Sequence, residues 1–190
     1  MEDAALATIK QILTKRGSTA DSFDTVATPL DETKMYLFGN VLIIFSTKTR
    51  VTEKEFNNFI GFASENNHTN GILIVTPSRP SDMVLSVLRN YVADRENALV
   101  QIFELRHLQF DISKNRKVPA HRIISDDEKT TMMKEYNVLR VELLPKIDCQ
   151  DPMAKWIGAR PGDVVEITGL CEASCENKRY RYCVADVTNG

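Results

Sequence analysis

Four residues near the start of the chain could do chemistry together. Asp21 and Asp24 precede Glu32-Thr33-Lys34, an order that would suit a metal-dependent nuclease. The carboxylates would hold Mg²⁺ and the lysine would sit near the attacked phosphate. The competing expectation is a solvated Asp-rich loop followed by a strand. It is preferred, because this spacing alone is a weak signal.

The cysteines are the second candidate set. Cys149, Cys171, Cys175 and Cys183 all fall in the last 42 residues, so a zinc-binding adaptor must be weighed. Structural zinc sites pair their ligands as two short-spaced couples. Only Cys171-x3-Cys175 is short-spaced, and none of His68, His107 and His121 follows it. Free thiols in a reducing compartment are the favoured expectation. Other chemistry is hard to find. The eight glycines form no phosphate loop, no serine sits in a nucleophile elbow, and no cysteine has a histidine nearby in sequence. His121 reads as a structural or surface residue rather than a base, His68 as part of an exposed polar turn over residues 66–70, and Trp156 as an apolar anchor for a neighbouring surface. Lys178-Arg179-Tyr180-Arg181-Tyr182 interleaves cations with rings. That suits a nucleic-acid groove or a protein-binding edge, although a strand can turn only half of it toward one partner.

The elements that must position these residues fall into two groups. The chain has 190 residues, 43% hydrophobic and 26% charged, with a formal net charge of −2. Global electrostatics therefore will not draw it onto nucleic acid or an anionic membrane. No apolar stretch approaches a membrane span, and the acidic Met1-Glu2-Asp3 start predicts no export signal. Residues 1–112 carry a net of −3 and residues 113–190 a net of +1. The polar run Ser113–Lys117, ending at Val118-Pro119, reads as a linker between two domains.

In the first half, Ala5, Leu6, Ile9, Ile12 and Leu13 share one helical face, and Lys15-Arg16-Gly17 supplies the stop. Residues 18–34 read as a long connection. Met35–Phe38 and Val41–Phe45 flank Gly39-Asn40, a hairpin signal. Thr52 and Glu55 form a capping box before a helix with Phe56, Phe59, Ile60 and Ala63 inward. Asn70-Gly71 ends that segment and Ile72–Val75 is a buried strand. Ser81 caps a helix carrying Val84, Leu88 and Tyr91, and Leu99–Leu105 and Leu108–Ile112 read as strands. Helices alternating with apolar strands argue an α/β layer. In the second half, Ser125 and Glu128 box a helix through Met132, Met133 and Tyr136. Asp151-Pro152 opens a short helix that Gly158 stops. Arg160–Asp163 is a turn between that helix and the strand Val164–Ile167, and Tyr180–Val184 is the return strand.

Five motifs in fixed order give the second half a specific resemblance. They are Val118-Pro119-x-His121, Leu144-Pro145-Lys146-Ile147, Asp151-Pro152-x-Ala154-x-x-x-Gly158, Gly162-x-Val164-Val165-x-Ile167 and Tyr180-Arg181. The set resembles the fifth common subunit of the eukaryotic nuclear RNA polymerases, whose C-terminal domain stands alone as a small subunit of the archaeal RNA polymerase. It covers residues 118–187. The first half is more loosely similar to the eukaryotic jaw domain, through Arg16-Gly17, the hairpin, Ile72–Val75 and Pro80-Ser81, but lacks a helix after Gly17. Where the family has Arg-Pro-Ser-Glu, this chain has Gly169-Leu170-Cys171-Glu172, and Glu176-Asn177 replaces an Arg-Tyr. The chain reads as a divergent member, with a large-DNA-virus or protist source in view.

The resemblance implies an α/β jaw domain over 1–112, a linker over 113–117 and a small α+β assembly domain over 118–190. It implies a non-catalytic subunit without a cofactor. Pro145, Asp151, Pro152, Ala154, Trp156, Gly158, Gly162, Val164, Val165, Tyr180 and Arg181 would serve docking on the largest polymerase subunit. Thr76, Ser78, Arg79 and Ser81 would face downstream DNA. The place of action would be the nucleus for a cellular member, or host cytoplasm or virion for a viral one.

Overall fold

The computed structural model describes residues 1–28, 30, 32–66, 68, 71–95, 99–171 and 175–187, without the side chains of 170, 171, 175 and 176. Asn70 and Glu172 therefore lie outside the described residues, as do the side chains of Cys171 and Cys175. The chain divides into two units, Met1–Asp111 and Ile112–Gly190.

The first unit opens with α1, Glu2–Lys15. Its buried side is Ala5, Thr8, Ile9, Ile12 and Leu13; Leu6, expected inward, is only half-buried. The helix stops at Gly17 in a Schellman pattern, in which Ser18 N–H donates to the Leu13 carbonyl and Gly17 N–H to that of Thr14. Then follow β1 (Asp24–Val26), β2 (Thr33–Phe38), β3 (Val41–Ser46), α2 (Glu53–Glu65), β4 (Ile72–Thr76), α3 (Asp82–Ala93) and β5 (Val100–Glu104). The expected connection over 18–34 thus contains a strand, β1. Its short polar sequence gives no alternation to read, and pairing with β2 makes it extended.

The five strands lie in sequence order, antiparallel from β1 to β3 and parallel from β3 to β5. Register puts Met35, Ile44, Ile74 and Ile102 in one row across the sheet, under Phe56, Phe59 and Ile60 of α2 and Val84 and Leu88 of α3. The opposite face takes α1, tied at both ends. Near its start, Tyr36 Oη and Lys34 Nζ both donate to Glu2; just past its end, Arg16 Nη2 donates to Gln101 Oε1 at 2.8 Å. Helices therefore cover both faces. That is why β4 is buried at every position and reads as an unbroken apolar run.

Both expected caps form: Thr52 and Glu55 bond reciprocally, and Ser81 Oγ accepts from Val84 N–H. The strand expected over Leu108–Ile112 does not form. A 3-10 turn spans Leu105–Leu108 and another Ile112–Lys114. The alternation of Leu108, Phe110 and Ile112 misleads here, since Phe110 is 59% exposed. Gln109 Nε2 instead bonds the Leu105 carbonyl and holds the turn.

The second unit holds β6 (Ala120–Ile123), α4 (Asp126–Glu135), β7 (Lys146–Asp148), α5 (Pro152–Ile157), β8 (Val164–Cys171) and β9 (Cys175–Val184). The sheet order is β6-β8-β9-β7, with only β7 and β9 parallel. Strands β6 and β7 have no counterpart in the sequence expectations, and the hairpin β8–β9 is longer than expected. One face packs Val164, Tyr180 and Tyr182 with Met132 of α4. The other packs Val165, Cys183 and Ile147 with Ala154 of α5.

Two glycines of the second unit are required by its backbone. Gly158 ends α5 at φ +79°, and Gly162 turns the chain into β8 at φ +100° with open space where a Cβ would stand. Gly162→Ala should therefore cost about 1 kcal/mol through backbone strain alone. Urea unfolding should show a lowered midpoint at unchanged slope; an unshifted midpoint would contradict the turn's role.

Candidate functional site

The nuclease arrangement is not assembled. Asp24 pairs with Leu37 across β1 and β2. Lys34 stands three residues from Leu37, so the two side chains emerge on opposite faces of the sheet. Lys34 Nζ is held by Glu2 Oε2 at 2.7 Å, and Glu32 lies 3.7 Å from Lys48. At Asp21 it is the backbone carbonyl that is engaged, accepting from Lys10. The four residues have gone to separate structural duties.

The described cysteines sit in a core. Cys149 and Cys183 are buried among Ile147, Ala154 and Val165. Burial pushes the Cys183 thiol well up, and neighbouring Cys149 adds to the shift, so Cys183 stays a protonated, apolar filler. Among the described residues, no three His, Cys, Asp or Glu side chains converge on a point fit for a metal. His121 is held by its own turn, with Nδ1 2.8 Å from the Pro119 carbonyl. His68 is half-buried and its N–H donates to the Ala63 carbonyl.

The loop after β4 is mostly occupied with itself. Thr76 is buried, and its hydroxyl donates to the Ser78 carbonyl at 2.8 Å. Ser78 Oγ donates to the Thr49 carbonyl, and Ser81 caps α3. The Thr76 side chain is thus turned inward, with its hydroxyl already donating within the loop. Arg79 is the exposed cation of the loop.

The expected docking residues divide by burial. Ala154, Val164 and Val165 are buried in the unit's own core, and Trp156 is buried as well. Gly158 and Gly162 shape turns. Asp151 Oδ1 accepts from Met153 N–H at 2.9 Å and caps α5. Pro145, Pro152 and Arg181 are exposed, and Arg181 Nη1 donates to the Lys146 carbonyl.

One constellation escapes sequence reasoning. Glu166, 5% exposed in β8, accepts from Arg122 Nε at 2.8 Å and Nη2 at 3.2 Å, and from Tyr180 Oη at 3.1 Å. Arg122 Nη1 also donates to both oxygens of Glu128, at 2.8 and 3.0 Å. Glu128 in turn closes the capping box at Ser125. The network joins β6, β8, β9 and the start of α4. Burial alone would raise the Glu166 carboxyl, but the Arg122 and Tyr180 hydrogen bonds outweigh it and hold the group below its ordinary value. Burial and the Glu166 hydrogen bond push the Tyr180 phenol up to about 12. A glutamate inside the apolar strand Val164–Ile167 is the available signal, since a buried carboxylate demands a partner.

The second unit is thus a small mixed α/β domain whose charged groups lock its own elements together. Its sequence matches a family model described as RNA polymerase Rpb5, C-terminal domain, over residues 110–183. DNA-directed RNA polymerase subunit Rpo5 of Pyrococcus abyssi is 37% identical over 78 residues, 41% of this chain and 94% of that subunit. The subunit of the same name from Sulfolobus acidocaldarius is 40% identical over 76 residues, covering 40% and 89%. That from Methanococcoides burtonii is 38% identical over 76, covering 40% and 96%. The chain belongs to the Rpb5/Rpo5 family of RNA polymerase subunits.

Removing Arg122 should expose what the network does. Arg122→Leu leaves a buried carboxylate without its guanidinium and should cost about 2 kcal/mol at neutral pH. That is less than for a fully buried pair, because the Arg122 side chain is 49% exposed and partly screened. In the unaltered protein the Glu166 contribution is complete above the unfolded value near 4.5. It is lost as pH falls through the lower folded value. Acid unfolding followed by circular dichroism should steepen below about pH 4.5, and less so in Glu166→Gln; parallel curves would contradict this.

Proposed function

We propose that the chain is a non-catalytic subunit of a multisubunit DNA-directed RNA polymerase. Its second unit docks on the largest subunit, and its first is a jaw that flanks downstream DNA. The observation that carries the reading is the match to subunits named Rpo5 along nearly their whole length. Those relatives are scarcely longer than the second unit, so the first unit is an addition to a shared assembly module.

The distribution of side chains supports each part. Leu139, 82% exposed, stands with Tyr136 and Leu143 as exposed apolar groups in the second unit, the kind of surface an obligate partner covers. Pro145, Pro152 and Arg181 add further exposed positions for docking. The dispersal of Asp21, Asp24, Glu32 and Lys34 and the burial of Cys183 favour a structural role over a catalytic one. DNA affinity in such an assembly comes from many phosphate contacts, of which Arg79 supplies one from the loop after β4.

Affinity purification of the tagged full chain from its source cells should recover two very large subunits, identified by mass spectrometry. Recovery without any polymerase chain would overturn the reading. In the assembled enzyme, Arg79→Ala should leave subunit composition unchanged and weaken binding to downstream duplex a few-fold, most visibly at raised salt. Unaltered salt dependence would remove Arg79 from the DNA side.

A further inference from the structure

Two basic runs that lie far apart in the sequence meet at one cleft of the second unit. Arg116 and Lys117, ahead of β6, and Arg179, on β9, line a space of about 550 Å³. Val118, Pro119 and Ile167 form its apolar part, and no aspartate or glutamate is among its described lining residues. All three cations are exposed. Three like charges around one cleft repel one another, and an anionic occupant relieves that repulsion.

We propose that this cleft holds an acidic segment of a partner protein, with carboxylates on the cationic rim and an apolar side chain against Val118, Pro119 and Ile167. Charge complementarity commits the occupant to an anion, and the apolar part commits it to a peptide. Nucleic acid fits less well. A single strand needs aromatic rings on which bases stack, and the nearby rings are on the wrong side. Tyr180 and Tyr182 alternate with Arg179 along β9; they pack with Val164 and Met132 on the α4 face. Tyr180 is further held by Glu166. A phosphodiester backbone would leave the apolar part uncovered. The inference does not depend on the polymerase reading, since the cleft's chemistry asks only for an acidic segment.

The same strand provides an internal control. Lys178 is exposed like Arg179 but emerges on the opposite face, near enough to Glu166 to act on its charge. Charge reversal at either position changes the net charge of the chain equally.

The full chain should be titrated, by fluorescence anisotropy, into a labelled ten-residue peptide alternating glutamate and leucine. A glutamate-only peptide and a thymidine decanucleotide serve as comparators. The mixed peptide should bind most tightly. Arg179→Glu should weaken it about tenfold, and Lys178→Glu much less. Arg116→Glu, on a different segment, should reproduce the loss without touching a strand. Equal losses for Arg179→Glu and Lys178→Glu would reduce the effect to diffuse electrostatics and overturn the proposal. So would tighter binding of the decanucleotide, or no measurable binding of the peptide.

Discussion

A carboxylate buried in the middle of a sheet is the constraint on which the second unit depends. Glu166 cannot stay charged in β8 unless a cation and a hydroxyl reach it, and each of those comes from a different strand. Arg122 reaches it from β6 and Tyr180 from β9. A one-residue slip in either pairing would turn the partner to the opposite face, so the network specifies register as well as charge balance. The fork of Arg122 extends the same requirement to Glu128, and through its capping box to the first turn of α4. Four elements of a small unit are thereby held in one arrangement by a few polar atoms, while modest apolar clusters on the two faces supply the bulk of the burial.

The first unit relies on a different logic. Its sheet is sealed on both faces by helices, and its strands carry nearly continuous apolar sequence from Leu42 to Phe45 and from Ile72 to Val75. Several of its polar contacts are made by α1 and the residue after it: Glu2 with Tyr36 and Lys34, Arg16 with the buried Gln101, Lys15 with Asp111. They position α1 over the sheet rather than specify which strand pairs with which. The two halves thus differ in how they encode structure as well as in charge.

That contrast explains what is legible in the sequence. Caps, turns and amphipathic stripes are local, and they can be read: Thr52, Ser81, Ser125 and Asp151 open helices, and Gly17 and Gly158 close them. The short strands β1, β6 and β7 carry no usable alternation and exist because a neighbour pairs with them. The turn around Gln109 imitates a strand because three apolar residues happen to alternate. The Arg122–Glu166–Tyr180 network is invisible because its members converge only through strand pairing. Its one trace is a glutamate where the pattern asks for an apolar residue.

The ties at the ends of α1 also set a timetable for synthesis. Ile9, Ile12 and Leu13 emerge first, yet the sheet they cover is complete only when β5 has been made, and Asp111 is the last residue to fasten the helix. At ribosomal rates of about 5–20 residues per second, the apolar stripe of α1 waits roughly 5–20 s for its cover. Burial of that stripe is therefore timed by the arrival of the unit's far end.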